Sequence, residues 1–350
     1  MDSLSQLPVY SPLTSGITDA CLVLCLTFLA WCLARPEASH TKCLFSSLGV
    51  VSVVFALIHG FRIPPVDQKI ASSILEVAPN RATVIGHRAG ACNAPENTIA
   101  AIREAKRNGA DGVELDVHFT KDGVPVIIHD PSVDRTTDGQ GMIRALTFEE
   151  VRKLNASYGH RFRAKFPDEH ISTLEEVTEE CLKLKLKIFF DVKVGSRLAA
   201  TTFVELFEKF PGLYSSAMIC SFFPNFIYML RLGNPNIVTA LIYLPGSLSY
   251  LASGSLPAYA IPRWTAPAAH VADILIGWAH RSWLWHLCGN SALLLHHSEV
   301  SRHEKLYWEQ RGVRIIPWTV NNLQEKRFYE ESLNVPYITD CVTADCPDSC

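Results

Sequence analysis

GVELDVHFTKDGVPVIIHD, residues 112–130, consists of two β-rich runs on either side of the turn sequence Lys-Asp-Gly at 121–123. A tight turn of this kind predicts that the second run folds back antiparallel on the first as a hairpin. In the first run, Glu114 and Asp116 are two residues apart and therefore point to the same side of the strand. The alternating valine and leucine residues pack on the other side, so the strand is predicted to carry two carboxylates into an interior.

Strand-like runs continue along the chain, separated in several places by helical patterns. There are nine such runs, at 82–86, 112–119, 124–130, 187–193, 216–222, 236–243, 292–297, 313–320 and 336–340. The hairpin makes the third run an excursion of the second, which leaves eight parallel strands over about 270 residues. This count predicts an α/β fold of the TIM (β/α)8 barrel type. A doubly wound open sheet is the alternative.

The N-terminal region is the most apolar part of a chain that is 48% hydrophobic and 19% charged. Two uncharged runs, 20–34 and 43–57, are slightly short of a bilayer span but can be extended by their flanks. We predict a membrane region at 1–64 with one or two transmembrane helices, a linker at 65–80, a barrel domain at 81–345 and a tail at 346–350. A membrane hairpin, or one anchor with an interfacial second segment, fits this pattern better than a signal peptide, which needs a basic beginning.

The charges near these runs bear on topology and partners. Arg35, His40 and Lys42 favour a cytosolic linker between two spans, which would place the barrel in the lumen or outside the cell. Arg62 and Lys69 argue the other way, whereas the glycosylation sequon at 155–157 favours the lumenal side. If the barrel is lumenal, a disulfide among the cysteines of the tail is possible. The net charge of −3 gives no attraction for nucleic acid.

Ionisable residues concentrate at the predicted strand ends, which share one face of a parallel barrel. Glu114 and Asp116 end the second strand, and Asp191 ends the next. Adjacent carboxylates repel each other unless a proton or a cation lies between them. Three carboxylates without a cysteine predict a hard divalent cation, Mg²⁺ or Ca²⁺. The alternative is a carboxylate cluster neutralised by arginine and lysine.

Cationic and imidazole groups lie at the same predicted rim. Arg88 and Lys193 would form a phosphate clamp, and His87 and His129 are candidates for proton transfer near neutral pH. Trp318 and Asn321, at the end of another strand, are predicted to contact the substrate. Together these residues predict metal-assisted phosphoryl transfer.

At these positions the sequence resembles the glycerophosphodiester phosphodiesterase family, and the apolar N-terminus is most similar to its membrane-bound members. The resemblance implies a barrel with an insert at 131–171, a divalent metal held by the three carboxylates, and the two histidines as the catalytic pair. Two positions depart from the family pattern. The family motif His-Arg-Gly reads His-Arg-Ala here, with Ala89 in place of the glycine, and Asp191 stands where glutamate is frequent. The matching motifs are GHRAG, APENT, residues 109–141, LTFEEVRKLN, FPDEHISTLEEV, FFDVK, CSF, PWTVN and YITD.

The activity implied by the resemblance is hydrolysis of glycerophosphodiesters to sn-glycerol 3-phosphate and an alcohol. Glycerophosphoinositol, and N-acyl glycerophosphoethanolamines with an acyl tail, are the expected substrates. A lysophospholipase D on the same barrel and an inactive membrane scaffold are the alternatives. The sequence does not decide which histidine is the acid, or whether the glycerol hydroxyl is an internal nucleophile.

An apolar insert at 266–291 separates the sixth and seventh parallel strands. It is too short between charges to span a bilayer, and one crossing would divide the barrel between two sides of the membrane. Trp278, Trp283 and Trp285, with His280, Arg281 and His286, predict an amphipathic helix at the lipid surface. An ordinary barrel-covering helix is the alternative.

Overall fold

A computed structural model describes residues 27–28, 30–34, 39–76, 81–252, 262 and 265–343. Helix α1 (His40–Phe61) is, within these residues, the one helix long and apolar enough to cross a membrane. Its 22 residues correspond to about 33 Å, and only 6% of its most apolar window is buried. The second predicted apolar run therefore lies in α1, whereas most of the first run, 20–34, lies outside the described residues.

The strands form a nearly closed parallel barrel, as the strand count predicts. In the sheet order β8-β7-β6-β5-β4-β2-β1-β9, every neighbouring pair is parallel, and β3 pairs antiparallel with β2 as the predicted hairpin. Beyond β8, the amide of Val320 donates to the carbonyl of Ile338 at 2.8 Å, which links the two ends of the sheet. The strands are β1 (Val84–Gly86), β2 (Gly112–Phe119), β3 (Pro125–Ile127), β4 (Lys187–Val192), β5 (Ala217–Ser221), β6 (Thr239–Tyr243), β7 (Ala292–His296), β8 (Arg314–Trp318) and β9 (Tyr337–Thr339).

Helices cover the outside of the barrel, and several begin at a side-chain cap. Thr147 and Thr173 form capping boxes with the glutamates three residues later, which satisfies free amides at both helix starts. After α1 the helices are α2 (Gln68–Leu75), α3 (Ile99–Arg107), α4 (Phe148–Arg152), α5 (Leu174–Leu184), α6 (Arg197–Lys209), α7 (Pro224–Gly233), α8 (Ser247–Ala252), α9 (Ala266–Ala279), α10 (Trp285–Cys288), α11 (Arg302–Glu309) and α12 (Leu323–Arg327). A π-helical segment, His280–Leu284, joins α9 to α10, and another, Phe328–Leu333, follows α12.

The apolar core has two layers, one on each side of the strands. Val113, Leu115 and Val117 of β2 face outward and pack in the layer beneath the helices. The inner cluster includes Phe189 of β4 and Leu294 of β7. Because side chains alternate along a strand, the outward valines and leucine direct the carboxylates of β2 inward, as the sequence predicts.

Helix α2 is also part of the inner core. It lies in the segment predicted as a linker, but Ala71, Ile74 and Leu75 are buried in the same cluster as Phe189. Thr83, just before β1, donates its hydroxyl to the carbonyl of Leu75. Since α2 precedes β1, it covers the end of the barrel where the strands begin, and the opposite end is left for the predicted site.

The segment predicted as an insert, 131–171, has a small apolar core of its own. Val133, Ile143, Val151 and Ile171 pack with Val126 of β3. The hairpin strand thus connects the insert to the barrel.

Candidate active site

The structure brings the three predicted carboxylates together inside the barrel. Asp116 of β2 and Asp191 of β4 are paired in register, and Glu114 lies one inward position earlier on β2. One oxygen from each residue lies within 4.8 Å of the others, and all three side chains are buried. Burial and the charge of Asp116 raise the pKa of Glu114 to about 8. The cluster therefore holds more negative charge than its apolar surroundings favour.

Two predicted phosphate-binding residues balance part of this charge. The Lys193 ammonium contacts Asp191 and lies 2.9 Å from Oδ1 of Asp116. Arg88 Nη1 lies 3.1 Å from Glu96, and its Nε lies 3.8 Å from Asp116. Burial disfavours the Asp116 carboxylate, but Lys193 and the other cations hold its pKa well below the usual range. Lysine and arginine thus neutralise part of the charge of the carboxylate cluster, as the alternative to a metal site predicted.

The donor set fits a divalent cation. Oδ1 of Asp191 is buried and has no hydrogen-bond partner among the described residues, and burial raises the pKa of this carboxyl group. Carboxylate oxygens are the ligands that Mg²⁺ and Ca²⁺ prefer, and the separations suit ligands of one ion. Glu114, Asp116 and Asp191 are therefore the residues able to hold a metal, with Lys193 at its edge.

His87 is held by a carboxylate that the motif reading did not assign a role. Its Nδ1 lies 2.6 Å from Oδ1 of Asp340, just beyond β9, while its Nε2 lies 3.9 Å from Glu114. Burial lowers the pKa of His87, but the hydrogen bond to Asp340 and the negative charges of Asp340 and Glu114 together outweigh it, and the pKa is raised. The Nδ1–H group donates to Asp340, so Nε2 is directed to the carboxylate cluster.

His129 has an equivalent arrangement. Its Nδ1 lies 2.7 Å from Oδ1 of Asp130, and Arg135 donates to both oxygens of Asp130 at 2.7 and 3.1 Å. Arg135 also donates twice to Glu96, the partner of Arg88. A chain of alternating charges therefore runs from Asp130, the partner of His129, to Arg88, and it fixes the orientation of the His129 and Arg88 side chains.

The loop after β1 has an unusual backbone. Arg88, Ala89 and Gly90 have φ values of 50°, 64° and 86°, and Asn97 has 61°. This left-handed region favours glycine, so Ala89 adopts a backbone conformation that is uncommon for a residue with a Cβ atom. The conformation points the amide of Arg88 at Glu114, at 2.8 Å. Asn97 donates to Asp116 at 2.7 Å, so this loop orients two of the carboxylates.

The two remaining predicted substrate-binding residues, Trp318 and Asn321, have different surroundings from each other. Trp318 lies edge-on to Phe222 and to His296, with ring centroids 6.0 Å apart in each pair. Its indole nitrogen is buried without a partner among the described residues, so it is free to donate. Asn321 instead donates to Oδ2 of Asp340 at 2.6 Å and accepts from its backbone amide. It orients the partner of His87, a role that its position after β8 did not reveal.

The apolar insert packs on the barrel more closely than a surface helix would. Trp285 lies edge-on to Trp308 of α11, with its indole nitrogen buried, and Arg281 pairs with Glu304. The tryptophans at 278 and 285 thus do not form the exposed apolar face. That face consists of Val271, Ile274 and Leu275, all more than half exposed. The packing agrees with a barrel-covering helix that has one apolar exposed stripe.

The structure describes the surroundings of the glycosylation sequon and of one tail cysteine. The amide of Asn155 donates to the carbonyl of Pro167 at 3.0 Å, and Ser157 is buried. A glycosylated asparagine keeps one hydrogen on Nδ2, so this bond does not decide whether Asn155 carries a glycan, and glycosylation stays a prediction. Cys341 is buried, and Cys92, in the loop after β1, is disulfide-bonded, whereas the tail cysteines Cys346 and Cys350 lie outside the described residues.

Comparison with known proteins gives a consistent result. The sequence profile of the Glycerophosphoryl diester phosphodiesterase family matches residues 87–344. The chain is 44% identical over 306 residues to Glycerophosphodiester phosphodiesterase 1 of Mus musculus, covering 87% of this chain and 92% of the relative. It is 43% identical over 297 residues to the Homo sapiens protein of the same name, covering 84% and 88%.

Solved structures show the same fold at lower identity. An Oleispira antarctica phosphodiesterase in complex with the product sn-glycerol-3-phosphate has a TM-score of 0.57 and 21% identity, covering 75% of this chain and 94% of that one. A glycerophosphodiester phosphodiesterase from Agrobacterium tumefaciens has a TM-score of 0.56 and 19% identity, covering 75% and 97%.

Proposed function

Because the chain belongs to the glycerophosphoryl diester phosphodiesterase family, we propose that it hydrolyses glycerophosphodiesters with water to sn-glycerol 3-phosphate and a free alcohol. The observation that carries this proposal is the pair of carboxylate-held imidazoles beside one buried acidic cluster. Cleavage of a phosphodiester needs one group to remove a proton from the nucleophile and another to protonate the leaving oxygen. Two differently placed imidazoles supply both.

The surroundings of the two histidines suggest a division of roles. Asp340 makes His87 a stronger base, so His87 is assigned the removal of a proton from the attacking nucleophile, whether water or the glycerol hydroxyl. The side chain of His129 is 28% exposed against 17% for His87. It therefore lies nearer the open rim, where the alcohol must leave, and it is assigned the protonation of the leaving oxygen.

The other charged groups bind the phosphodiester. Arg88 and Lys193 offer guanidinium and ammonium donors to the non-bridging oxygens, and Trp318 offers its indole N–H to the glycerol moiety. Glu114, Asp116 and Asp191 are assigned as ligands of Mg²⁺ or Ca²⁺. When bound, such an ion would neutralise charge that develops on the phosphoryl oxygens.

The direct test is hydrolysis of glycerophosphoinositol by the purified full chain, with released sn-glycerol 3-phosphate measured enzymatically. We expect His87→Ala and His129→Ala each to lower kcat by at least about 10²-fold. The matched control is His303→Ala, an exposed histidine on α11, which should retain wild-type kcat.

Each other outcome identifies an alternative. Release of choline from lysophosphatidylcholine without hydrolysis of glycerophosphoinositol would favour a lysophospholipase D. Turnover of neither substrate in the presence of Mg²⁺ or Ca²⁺ would favour a scaffold. Near wild-type kcat in one histidine variant would show that this residue is structural.

The membrane and the lipid-derived substrate are part of the same proposal. The amide of Ile63, just after α1, donates to the carbonyl of Leu287 at 2.9 Å, and Tyr228 donates to the carbonyl of Phe61 at 2.8 Å. These bonds attach the end of α1 directly to the barrel. We therefore propose that α1 anchors the enzyme with the barrel against the bilayer, where N-acyl glycerophosphoethanolamines would be accessible.

The proposed orientation places the barrel in the lumen or outside the cell. The disulfide at Cys92 supports it, because disulfides persist in oxidising compartments. Arg62, which the sequence reading counted against this side, lies 3.4 Å from His286 and is partly engaged with the barrel. In sealed microsomes, an epitope placed after Cys350 should resist protease until detergent is added. Digestion of the epitope in intact vesicles would reverse the assignment.

A further inference from the structure

A cavity of about 320 Å³ lies between the barrel wall and the helix layer, beside β7. Leu293 and Leu295 of β7 and Trp308 of α11 form one side, and Ile274 and Trp278 of α9 form the other. The β7 leucines belong to the outer apolar layer, so the strand wall separates this cavity from the carboxylate cluster. Its volume is at the lower end of the range for small-molecule sites.

Two residues that line this cavity, Trp278 and His280, each carry a buried polar atom without a partner among the described residues. His280 is 6% exposed, and its Nδ1 lies 2.9 Å from the carbonyl of Ile276. A carbonyl only accepts, so Nδ1 carries the proton, and burial lowers the pKa of His280 and keeps the ring neutral. Its Nε2 is then an unpaired acceptor, and Nε1 of Trp278 is an unpaired donor. Buried polar atoms are normally paired, so these two indicate a missing partner.

The charges around the cavity disfavour an anion. Among the described residues, Asp273, Glu299 and Glu304 line it, and the lining arginine, Arg281, pairs with Glu304 at 2.6 Å. A carboxylate or phosphate ligand would meet net negative charge. A ligand with an uncharged polar group would not.

The cavity opens on the exposed apolar stripe of α9. Ile274, at the opening, is 60% exposed, and Val271 and Leu275 beside it are similarly exposed. Ile274 and Trp278 are four residues apart and lie on one ridge of α9. The π-helical segment joins α9 to α10, where His286 contacts Arg62 at the end of α1, so this helical segment leads from the cavity towards the anchor.

We propose that this cavity binds an uncharged single-chain amphiphile that carries a hydroxyl or amide group and arrives from the bilayer. The chain lies along Leu293, Leu295 and Trp308, the polar group donates to Nε2 of His280, and its oxygen accepts from Nε1 of Trp278. This site is separate from the phosphodiesterase site and does not depend on the proposed reaction.

The test uses the full chain in phosphatidylcholine nanodiscs and a monoacylglycerol with a photoactivatable diazirine in its chain. Cross-linked peptides are mapped by mass spectrometry and occupancy is titrated. We expect labelling within α9 or β7. His280→Leu and Trp278→Phe should each weaken binding roughly fivefold, the effect of one hydrogen bond. His270→Leu and Trp283→Phe, on the same helical segment but outside the cavity, should bind as the wild type does.

Two further measurements decide the outcome. Unlabelled monopalmitoylglycerol should compete at least about tenfold better than palmitate, because the acidic lining disfavours a carboxylate. Three results would each overturn the proposal and indicate a cavity that holds only water. They are equal competition by monopalmitoylglycerol and palmitate, unchanged binding in both cavity variants, and labelling spread evenly over the chain. Hydrolysis of glycerophosphoinositol is assayed on every variant, and its retention shows that the barrel is folded. If His280→Leu is misfolded, Trp278→Phe decides.

Discussion

His87 and His129 each use Nδ1 to donate to a carboxylate, and this leaves Nε2 of both rings for chemistry. The carboxylates differ in their support. Asp340 is held by the Asn321 amide, whereas Asp130 is held by the Arg135 guanidinium. A neutral partner leaves more negative charge on Asp340 than a cationic partner leaves on Asp130. This difference is the residue-level basis for assigning His87 as the base.

Replacement of Asp340 by asparagine tests that assignment. The hydrogen bond to Asp340 raises the pKa of His87, so Asp340→Asn should lower it. A base must be deprotonated, and the acidic limb of kcat/KM should therefore move to lower pH. We expect kcat to fall roughly 10²-fold as orientation is lost. The pH–rate profile on glycerophosphoinositol measures both effects, and an acidic limb at its wild-type position would contradict the role of Asp340.

The carboxylate cluster predicts dependence on a divalent cation. The three carboxylates repel one another unless a cation lies between them. Glu114→Gln and Asp191→Asn each replace one charged oxygen of this cluster with a neutral amide. Turnover should be abolished by excess EDTA, restored by Mg²⁺ or Ca²⁺, and reduced at least about 10²-fold in either variant. Glu175→Gln, on the outside of α5, is the matched control. Full activity in EDTA would exclude a metal-dependent reaction.

At the scale of elements, α2 shows how a short polar-looking segment becomes part of a core. Its sequence, QKIASSIL, has three buried residues spaced on one face, and the barrel interior provides the surface that they cover. The segment looks like a linker because eight residues are too few for a strong periodic signal. Tertiary packing stabilises the helix.

A pair of isoleucines on α2 tests this role. Ile74 is fully buried, whereas Ile70 is 38% exposed. Ile74→Ala should destabilise the barrel by about 2–4 kcal/mol, because it removes a buried side chain and leaves a cavity. Ile70→Ala should cost less than about 1 kcal/mol. Thermal unfolding of the detergent-solubilised chain measures the difference. Equal effects would mean that α2 is only a tether.

At the scale of the whole molecule, we propose that α1 and the exposed stripe of α9 place the barrel relative to the bilayer. The hydrogen bonds of Phe61 and Ile63 attach α1 to α7 and α10, and the same helical segment continues to Val271 and Leu275. A lipid-tailed substrate would then meet the enzyme at the surface where its tail is already buried.

Two serine substitutions test this arrangement. Val271→Ser with Leu275→Ser removes apolar surface that is exposed in the structure, so stability should change little. Hydrolysis of vesicle-borne N-acyl glycerophosphoethanolamine should fall severalfold as interfacial binding weakens, whereas soluble glycerophosphoinositol should be hydrolysed at the wild-type rate. Equal losses on both substrates would indicate destabilisation instead.

The sequence by itself determined the barrel and most of the charged residues of the site. The number of strands follows from local properties, which are the strand-like runs and the turn at 121–123. Because side chains alternate along a strand, the two-residue spacing of Glu114 and Asp116 predicts that both face the same side of the sheet. Asp191 could be added because neighbouring parallel strands end at one face, and the family resemblance supplied the reaction. A cluster of carboxylates between two strands, able to hold a metal, was thus predictable.

Only the tertiary structure decided which side chains support the site and which elements close the barrel. Asp340 is 253 residues from His87, and Asn321 reaches it only because β8 and β9 meet at the seam. Helix α2 is stable only against the finished interior, and Trp285 faces Trp308 because the curvature of the barrel brings α10 to α11. Such partners are remote in sequence, and no local pattern records them. Their contacts depend on the path of the folded chain.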